Sequence, residues 1–278
     1  HAGLEQGRVR KTVVEAIPFA PRIDDVSCRK NEDVCGGAVA KLLDIEVPPK
    51  AMWMSTALAE LNRIHSHLVW LGTSALELGA ISMFWYAFRE REQILDLFEA
   101  IGGLRMNHAY FRPGGVAQDL PAGVITQLHD TIALLKKLLP EYAALCNANP
   151  IFKGRLQGVG HLELAGCLAL GLTGPVLRAT GYDWDLRKKQ PYWGYETFDF
   201  DVVTRNEPDA YGRFRVRLDE MWESLKIVEQ ATERLAKLEG APVMIADKKI
   251  AWPAQLSVGA DGQGNSAEHI KQIMGESM

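Results

Sequence analysis

The sequence predicts a mainly α-helical fold: a helical bundle with a few short strands near residues 8–20 and 197–203. Three observations carry that expectation. Apolar residues recur at helical spacing over residues 51–71, 84–98 and 210–238. Helix boundaries are marked by Pro48 and Pro49, by Gly102 and Gly103, and by Asp209. Strand-like alternation is confined to two short stretches, so no large sheet is expected. At 278 residues the chain allows one large core or two closely packed ones.

Taken in order, Val9, Val13, Ile17 and Phe19 alternate loosely, which predicts the first strands. Residues 33–45 read as a short helix weakened by Gly36 and Gly37. Pro48 and Pro49 open the next, in which Met54, Leu58, Leu61, His65 and Leu68 keep one face. His65 and His67 point to opposite sides of that helix, so they read as core or surface histidines rather than as a metal pair. Leu68 to Phe88 holds a single charge, Glu77, and is interrupted by Gly72, Thr73, Ser74, Gly79 and Ser82. A pair of buried helices is expected there rather than a membrane span. A buried Glu77 would need a partner, because an isolated charge in the interior costs several kcal/mol, on the order of 2–7 even for a neutral polar group.

Phe84, Phe88, Leu95 and Phe98 share a stripe with Arg91 in its middle, and Glu92 and Glu99 flank it as candidate ion-pair partners. After Gly102 and Gly103, the run Asn107, His108, Tyr110, Arg112, Pro113, Gly114 and Gly115 is a polar, glycine-flanked loop of the kind on which sites are built. Asp119 and Pro121 are expected to open a helix that kinks or breaks at Pro140, and Asn147 to Pro150 a turn. The closely spaced glycines of residues 154–181 predict tight turns between short helices. They match no phosphate loop. Residues 185–189 read as a basic loop, residues 191–204 as an aromatic segment ending in a strand, and Asp209 as the cap of a long helix. Arg213, Arg215 and Arg217 crowd the positive end of that helix and call for acidic neighbours. Ser266 is expected to cap a last helix.

Composition narrows the function. A net charge of −4 gives no electrostatic case for nucleic acid. Cys28, Cys35, Cys146 and Cys167 fit neither a disulfide scaffold nor a C-x-x-C pair, which favours a reducing compartment. No signal peptide is recognisable in the opening HAGLEQGRVRK, and both ends read as cut.

The residues themselves carry a resemblance further. ELNRIHSHLVWLG, ALELGAISMFWYAFREREQILDLFEAIGGLRMNHAYFRPGGVAQDLP, LQGVGHLELAGCLALGLTGPVLRATG, DLRKKQPYWGYETFDFDV and DAYGRFRVRLDEMWESLKIVEQ closely resemble the D subunit of NADH-quinone oxidoreductase, the hydrogenase-derived component of respiratory complex I. The resemblance implies a helical core of the nickel–iron hydrogenase large-subunit type over residues 48–278, a divergent part over 1–47, and one domain of the D-subunit type over 1–278, incomplete at both ends. It implies a peripheral protein on the cytoplasmic face of the cell membrane, with the B and C subunits of complex I and its membrane-embedded H subunit as partners. Quinone would be the substrate, reduced in a cavity beside the terminal iron–sulfur cluster of the B subunit, with proton translocation coupled to electron transfer. The chain would bind no metal and hold neither nicotinamide nor flavin.

Residue by residue, the resemblance matches Arg22 to an arginine next to that cluster and Asp24 to the aspartate of the same motif. Asp25 stands where the family has a quinone-binding tyrosine. A carboxylate can only accept, and it would repel negative charge developing on a quinone oxygen. Glu77 matches a carboxylate that partners a quinone-binding histidine. His108, with Asn107 before it, and Arg112 lie in the loop near the cluster. The segment SCRKNEDVCGG, residues 27–37, is unlike the family. Two rival readings follow: a scaffold component without quinone activity, or a hydrogenase-like catalytic one. Asp24 and Ser27 stand where the latter needs soft thiolates.

Overall fold

The computed structural model describes residues 11–245 together with Gly3, Gln6 and Gly7. The expected Ser266-capped helix, and residues 8–10 of the expected first strand, lie outside the described residues. Residues 13–23 form helical turns where the alternation predicts a strand. Thr12 and Glu15 form a reciprocal capping box for α1 (Val13–Ala16), and Pro18 and Pro21 sit in two following 3-10 turns. The cap satisfies the first-turn donors locally, and the prolines have no N–H to give a ladder. α2 spans Cys28–Leu42, beginning earlier than the sequence suggests.

α3 (Pro49–Glu77) starts at the expected proline pair. α4 (Ile81–Gly102) ends where Gly103 adopts a left-handed conformation, φ 76°. A short hairpin follows, β1 (Phe111–Arg112) pairing antiparallel with β2 (Gly115–Val116). α5 (Val124–Ala148) begins after Gly123 rather than at Asp119, whose carboxylate instead accepts from Lys50 Nζ at 2.6 Å. It runs unbroken through Pro140, which is exposed, while Leu138, Leu139 and Tyr142 on either side are buried and hold the two halves in line. Asn149 caps α6 (Pro150–Leu156), and α7 (Leu164–Ala169) and α8 (Gly174–Arg178) fill the glycine-rich stretch. The expected basic loop is a short helix, α9 (Leu186–Lys189), because the Asp185 side chain accepts the Arg187 N–H at 2.9 Å. α10 (Ala210–Ala236) is capped by Asp209.

The strand expected over 197–203 is also corrected. Phe198 and Phe200 are buried in alternation, as strand residues would be, but the main chain there pairs with side chains of α10. Gln230 Oε1 accepts from Asp199 N at 3.0 Å, its Nε2 donates to Asp199 O at 2.8 Å, and Glu223 accepts from Asp201 N at 2.8 Å. A helix has supplied the bonds of a neighbouring strand.

The four long helices make a closed ring: α3 packs on α4 and α10, and α5 packs on both of these. Their buried faces join the loops in one contiguous cluster from Ala40 to Leu235. Leu61, Ile64, Leu68, Leu135, Leu225 and Val228 lie at its centre, each fully buried or nearly so. Each such side chain contributes roughly 1.5–3 kcal/mol. The apolar run around residue 77 is divided by a turn at Leu78–Ala80, with Gly79 at φ 87°. No helix among the described residues is long and apolar enough to cross a membrane. Glu77, expected to be buried, is exposed, because it lies on the last turn of α3 where the chain leaves the core.

Candidate functional site

Two buried side chains fix the segment that leads into α2. Asn62, fully buried on α3, donates from Nδ2 to Val26 O (3.0 Å) and accepts at Oδ1 from Arg29 N (2.9 Å). The preceding turn is closed by Val26 N donating to Asp24 Oδ1 at 3.1 Å, and Arg22 Nη1 donates to the Pro18 carbonyl. Arg22, Asp24 and Asp25 are therefore displayed, exposed, on one anchored turn.

One turn further, fully buried Glu32 accepts three consecutive main-chain N–H groups: Ala109 (2.6 Å), Tyr110 (2.9 Å) and Phe111 (3.3 Å). Burial raises its carboxyl above the ordinary value, while the nearby Arg29 and the amides oppose that. This clamp holds a strained loop, for Asn107 and Ala109 on either side of His108 have φ of 58° and 55°. Such geometry persists in residues other than glycine only when its surroundings enforce it.

Beneath the clamp lies an under-partnered polar cluster. Arg29 is wholly buried, with its guanidinium carbon 4.7 Å from the Phe98 ring centre and 5.2 Å from that of Tyr110. Only Nη2 reaches a carbonyl, that of Phe98 at 3.5 Å, while Nε and Nη1 have no hydrogen bond among the described residues. Burial pulls its pKa down to about 10. His108 meets Phe98 edge-on at 5.4 Å, and His65 packs against the same ring at 6.3 Å. The ring nitrogens of His65 make no hydrogen bond among the described residues, while His108 has only the main-chain carbonyls of Arg105 and Leu104 within reach. Burial pushes each imidazole down to about 3, with the Arg91 cation adding to the effect on His65 and Arg29 on His108. Arg91, the cation in the apolar stripe, is mostly buried over Phe88 and bonds Glu92 at 3.3 Å; Glu99 is exposed.

The expected residues thus divide. Arg22, Asp24 and Asp25 are tied to His108 through α2, which Asn62 and Glu32 fasten to α3 and to the loop. Arg112 is exposed on β1, which packs against α2. Glu77 is not brought in: it lies fifteen residues beyond Asn62 on α3, about 22 Å along the axis. Sequence reasoning missed Arg29, Glu32 and Asn62. The recoverable signal was the spacing of Cys28, Arg29, Glu32, Asp33, Gly36 and Ala40, a helical stripe of small and charged residues that is buried in the fold.

A second polar region lies between α3, α9 and α10. Fully buried Glu60 accepts from Arg63 Nε (3.0 Å), Arg187 Nη1 (3.0 Å), Tyr195 OH (2.6 Å) and Ser224 Oγ (2.6 Å). Burial alone would raise this carboxyl, but Arg187 and Arg63 outweigh it and hold the group well below the ordinary range. Arg187 also bonds Asp185 at 2.7 Å, and Glu220 is shared between His67 Nε2 (2.8 Å) and Arg178. The two histidines flanking Ser66 therefore do face opposite ways, His67 into this network and His65 against Phe98.

Comparison with known proteins places these features in context. A family model described as the 49-kDa subunit of respiratory-chain NADH dehydrogenase matches residues 77–278. The chain is 62% identical over its whole length to the D subunit of NADH-quinone oxidoreductase from a Nocardioides species, and spans 63% of that relative. The first of the numbered D subunits of Streptomyces avermitilis is 55% identical over the whole chain, which covers 62% of it. The D subunit of Mycolicibacterium vanbaalenii is 52% identical, with 63% of its length covered.

Proposed function

Because the chain belongs to the family of the 49-kDa subunit of respiratory-chain NADH dehydrogenase, we propose that it serves as the D subunit of an NADH:quinone oxidoreductase and forms part of a quinone-reduction cavity. In that role it sits peripherally on the cytoplasmic face of the membrane against the B, C and H subunits. The terminal iron–sulfur cluster, held by the B subunit, supplies electrons one at a time, and their transfer to quinone is coupled to proton translocation. The observation that carries this reading is the anchored turn of Arg22, Asp24 and Asp25 and, linked to it through α2, the buried cluster of Arg29, His65 and His108, whose nitrogens are only sparsely hydrogen-bonded among the described residues.

These residues fit a neighbour's anionic cluster. Arg22 is an exposed cation, and Arg29 is a wholly buried one in the first turn of α2. Fixed positive charge stabilises a reduced cluster. Cys28 is buried and its thiol pushed up by burial, so it is not offered to the cluster as a thiolate; Arg22 would be the cation presented to it, with Asp24 and Asp25 on the same turn. Asp25 would face the quinone headgroup. Its exposed carboxylate accepts hydrogen bonds but donates none, which disfavours charge developing on a quinone oxygen. Arg112 extends the same face from β1.

The exposure of Asp25 and the separation of Glu77 from this face favour one second reading, a scaffold component that assembles without reducing quinone. The experiment that separates them is Asp25→Tyr in the assembled enzyme, assayed for NADH-driven quinone reduction and for NADH-driven reduction of ferricyanide. A gain of roughly tenfold or more in the quinone rate alone, the size of a restored charge-assisted hydrogen bond, supports the cavity. An unchanged quinone rate in a fully assembled complex supports the scaffold.

A further inference from the structure

We propose that the cavity between α2, the first turn of α3 and the segment after α9 binds an organic cation with an apolar body, held by the Asp33 carboxylate and the rings of Trp193 and Tyr192. The cavity has a volume of about 490 Å³, and its walls include Val47, Met52 and Leu186. Asp33 is only 5% exposed, and its Oδ1 has no hydrogen-bond partner among the described residues. The same carboxyl accepts a hydrogen bond from the Trp193 side chain, and the deficit left at Oδ1 is one that a ligand can relieve. The aromatic side is built rather than incidental. Thr56 Oγ1 donates to the Trp193 carbonyl at 3.1 Å, and a Cβ on Gly37 would come within 3.0 Å of the Trp193 ring, so α2 leaves room for the indole only because glycine stands there.

A carboxylate beside indole and phenol rings is the chemistry that recognises an ammonium group. An anion would meet Asp33 with Glu32 close behind it, and a neutral body would leave Asp33 protonated and gain nothing from its charge. The other ionisable groups facing the site are Lys41 at its exposed rim, Tyr192, and Arg112 from the hairpin packed on α2. Burial, with Glu32 adding, pushes Asp33 up to about 8. A permanently charged ligand must therefore displace the proton below that pH and binds more tightly as pH rises through it. This site is separate from the Arg22–Asp25 turn and does not depend on the quinone reading.

The test is calorimetric titration of the chain with phenyltrimethylammonium and with its uncharged analogue tert-butylbenzene, from pH 6 to pH 9. One saturable site is expected for the cation, with affinity rising about tenfold per pH unit below pH 8. Asp33→Asn should weaken it at least about tenfold at pH 8.5 and remove the pH dependence. Ala38→Trp, on an exposed part of the cavity rim, should abolish binding while circular dichroism shows the fold intact. Equal affinity for the uncharged analogue, unchanged binding in folded Asp33→Asn, or no heat from the folded wild-type chain at millimolar ligand overturns the proposal.

Discussion

Two buried polar regions flank α3, and they are built on opposite plans. Around Glu60 and Glu220 every carboxylate is matched by arginine, tyrosine, serine or histidine on another element. Around Arg29, His65 and His108 the cation leans on ring faces, His65 makes no hydrogen bond among the described residues, and His108 has no side-chain partner among them. The first region locks α9 and the segment after it to the bundle. The second is costly as it stands, because its cation and imidazoles are buried with few hydrogen-bond partners. The contrast separates a fully partnered network from an under-partnered one.

The comparison breaks most readily at the locked region. Arg187→Met leaves Glu60 and Asp185 short of their principal cation, and denaturant unfolding should register a loss of about 3–5 kcal/mol. Should the variant unfold at the wild-type midpoint, the network would have no structural role. Next in size is Glu32→Ala, which strips three amides of their acceptor. A loss of about 1–3 kcal/mol is expected, with faster hydrogen exchange at Ala109, Tyr110 and Phe111 than at α10 amides. Uniform exchange would show that the carboxylate does not hold the loop.

His65→Phe sharpens the contrast in the other direction. Because the imidazole has no hydrogen bond among the described residues to lose, stability at pH 7.5 should change by less than about 1.5 kcal/mol. The acid limb differs. With its pKa lowered to about 3 from 6.5, His65 contributes stability that is present above pH 6.5 and lost as pH falls from there through 3. Unfolding midpoints measured from pH 7 to pH 3 should fall less in the variant, and parallel curves would contradict the burial argument. The smallest effect belongs to the half-exposed Lys136–Glu229 pair at 2.6 Å, where Lys136→Ala should cost about 0–1 kcal/mol.

Much of the fold was legible because its signals are local. Pro49 begins α3, Gly103 ends α4, and Asp209 caps α10, each through chemistry confined to one turn. The site was less legible. Glu60 and Arg187 are 127 positions apart, and nothing near either announces the other. Glu77 misled because apolar surroundings in the sequence suggest burial, whereas a turn at Gly79 ends the helix just there. The strand expected near 197–203 had the right alternation of Phe198 and Phe200 but found its hydrogen bonds on a helix. Of the expected site residues, Arg22, Asp24 and Asp25 could be named only by resemblance, whereas His108 and Arg112 already stood out in a polar, glycine-flanked loop. Their anchoring by Asn62 and Glu32 is a property of packing.

Gly115 ties these parts together. Its φ of 150° and the Val243 carbonyl, which stands where a Cβ would have to go, let Val116 N donate to Val243 O and Ile245 N to Gly114 O. The hairpin beside His108 is thereby stitched to chain that follows the whole of α10. A side chain at that single position would pry the seam open from the far edge, and the polypeptide after the last long span of the ring would lose its moorings to the hairpin beside His108.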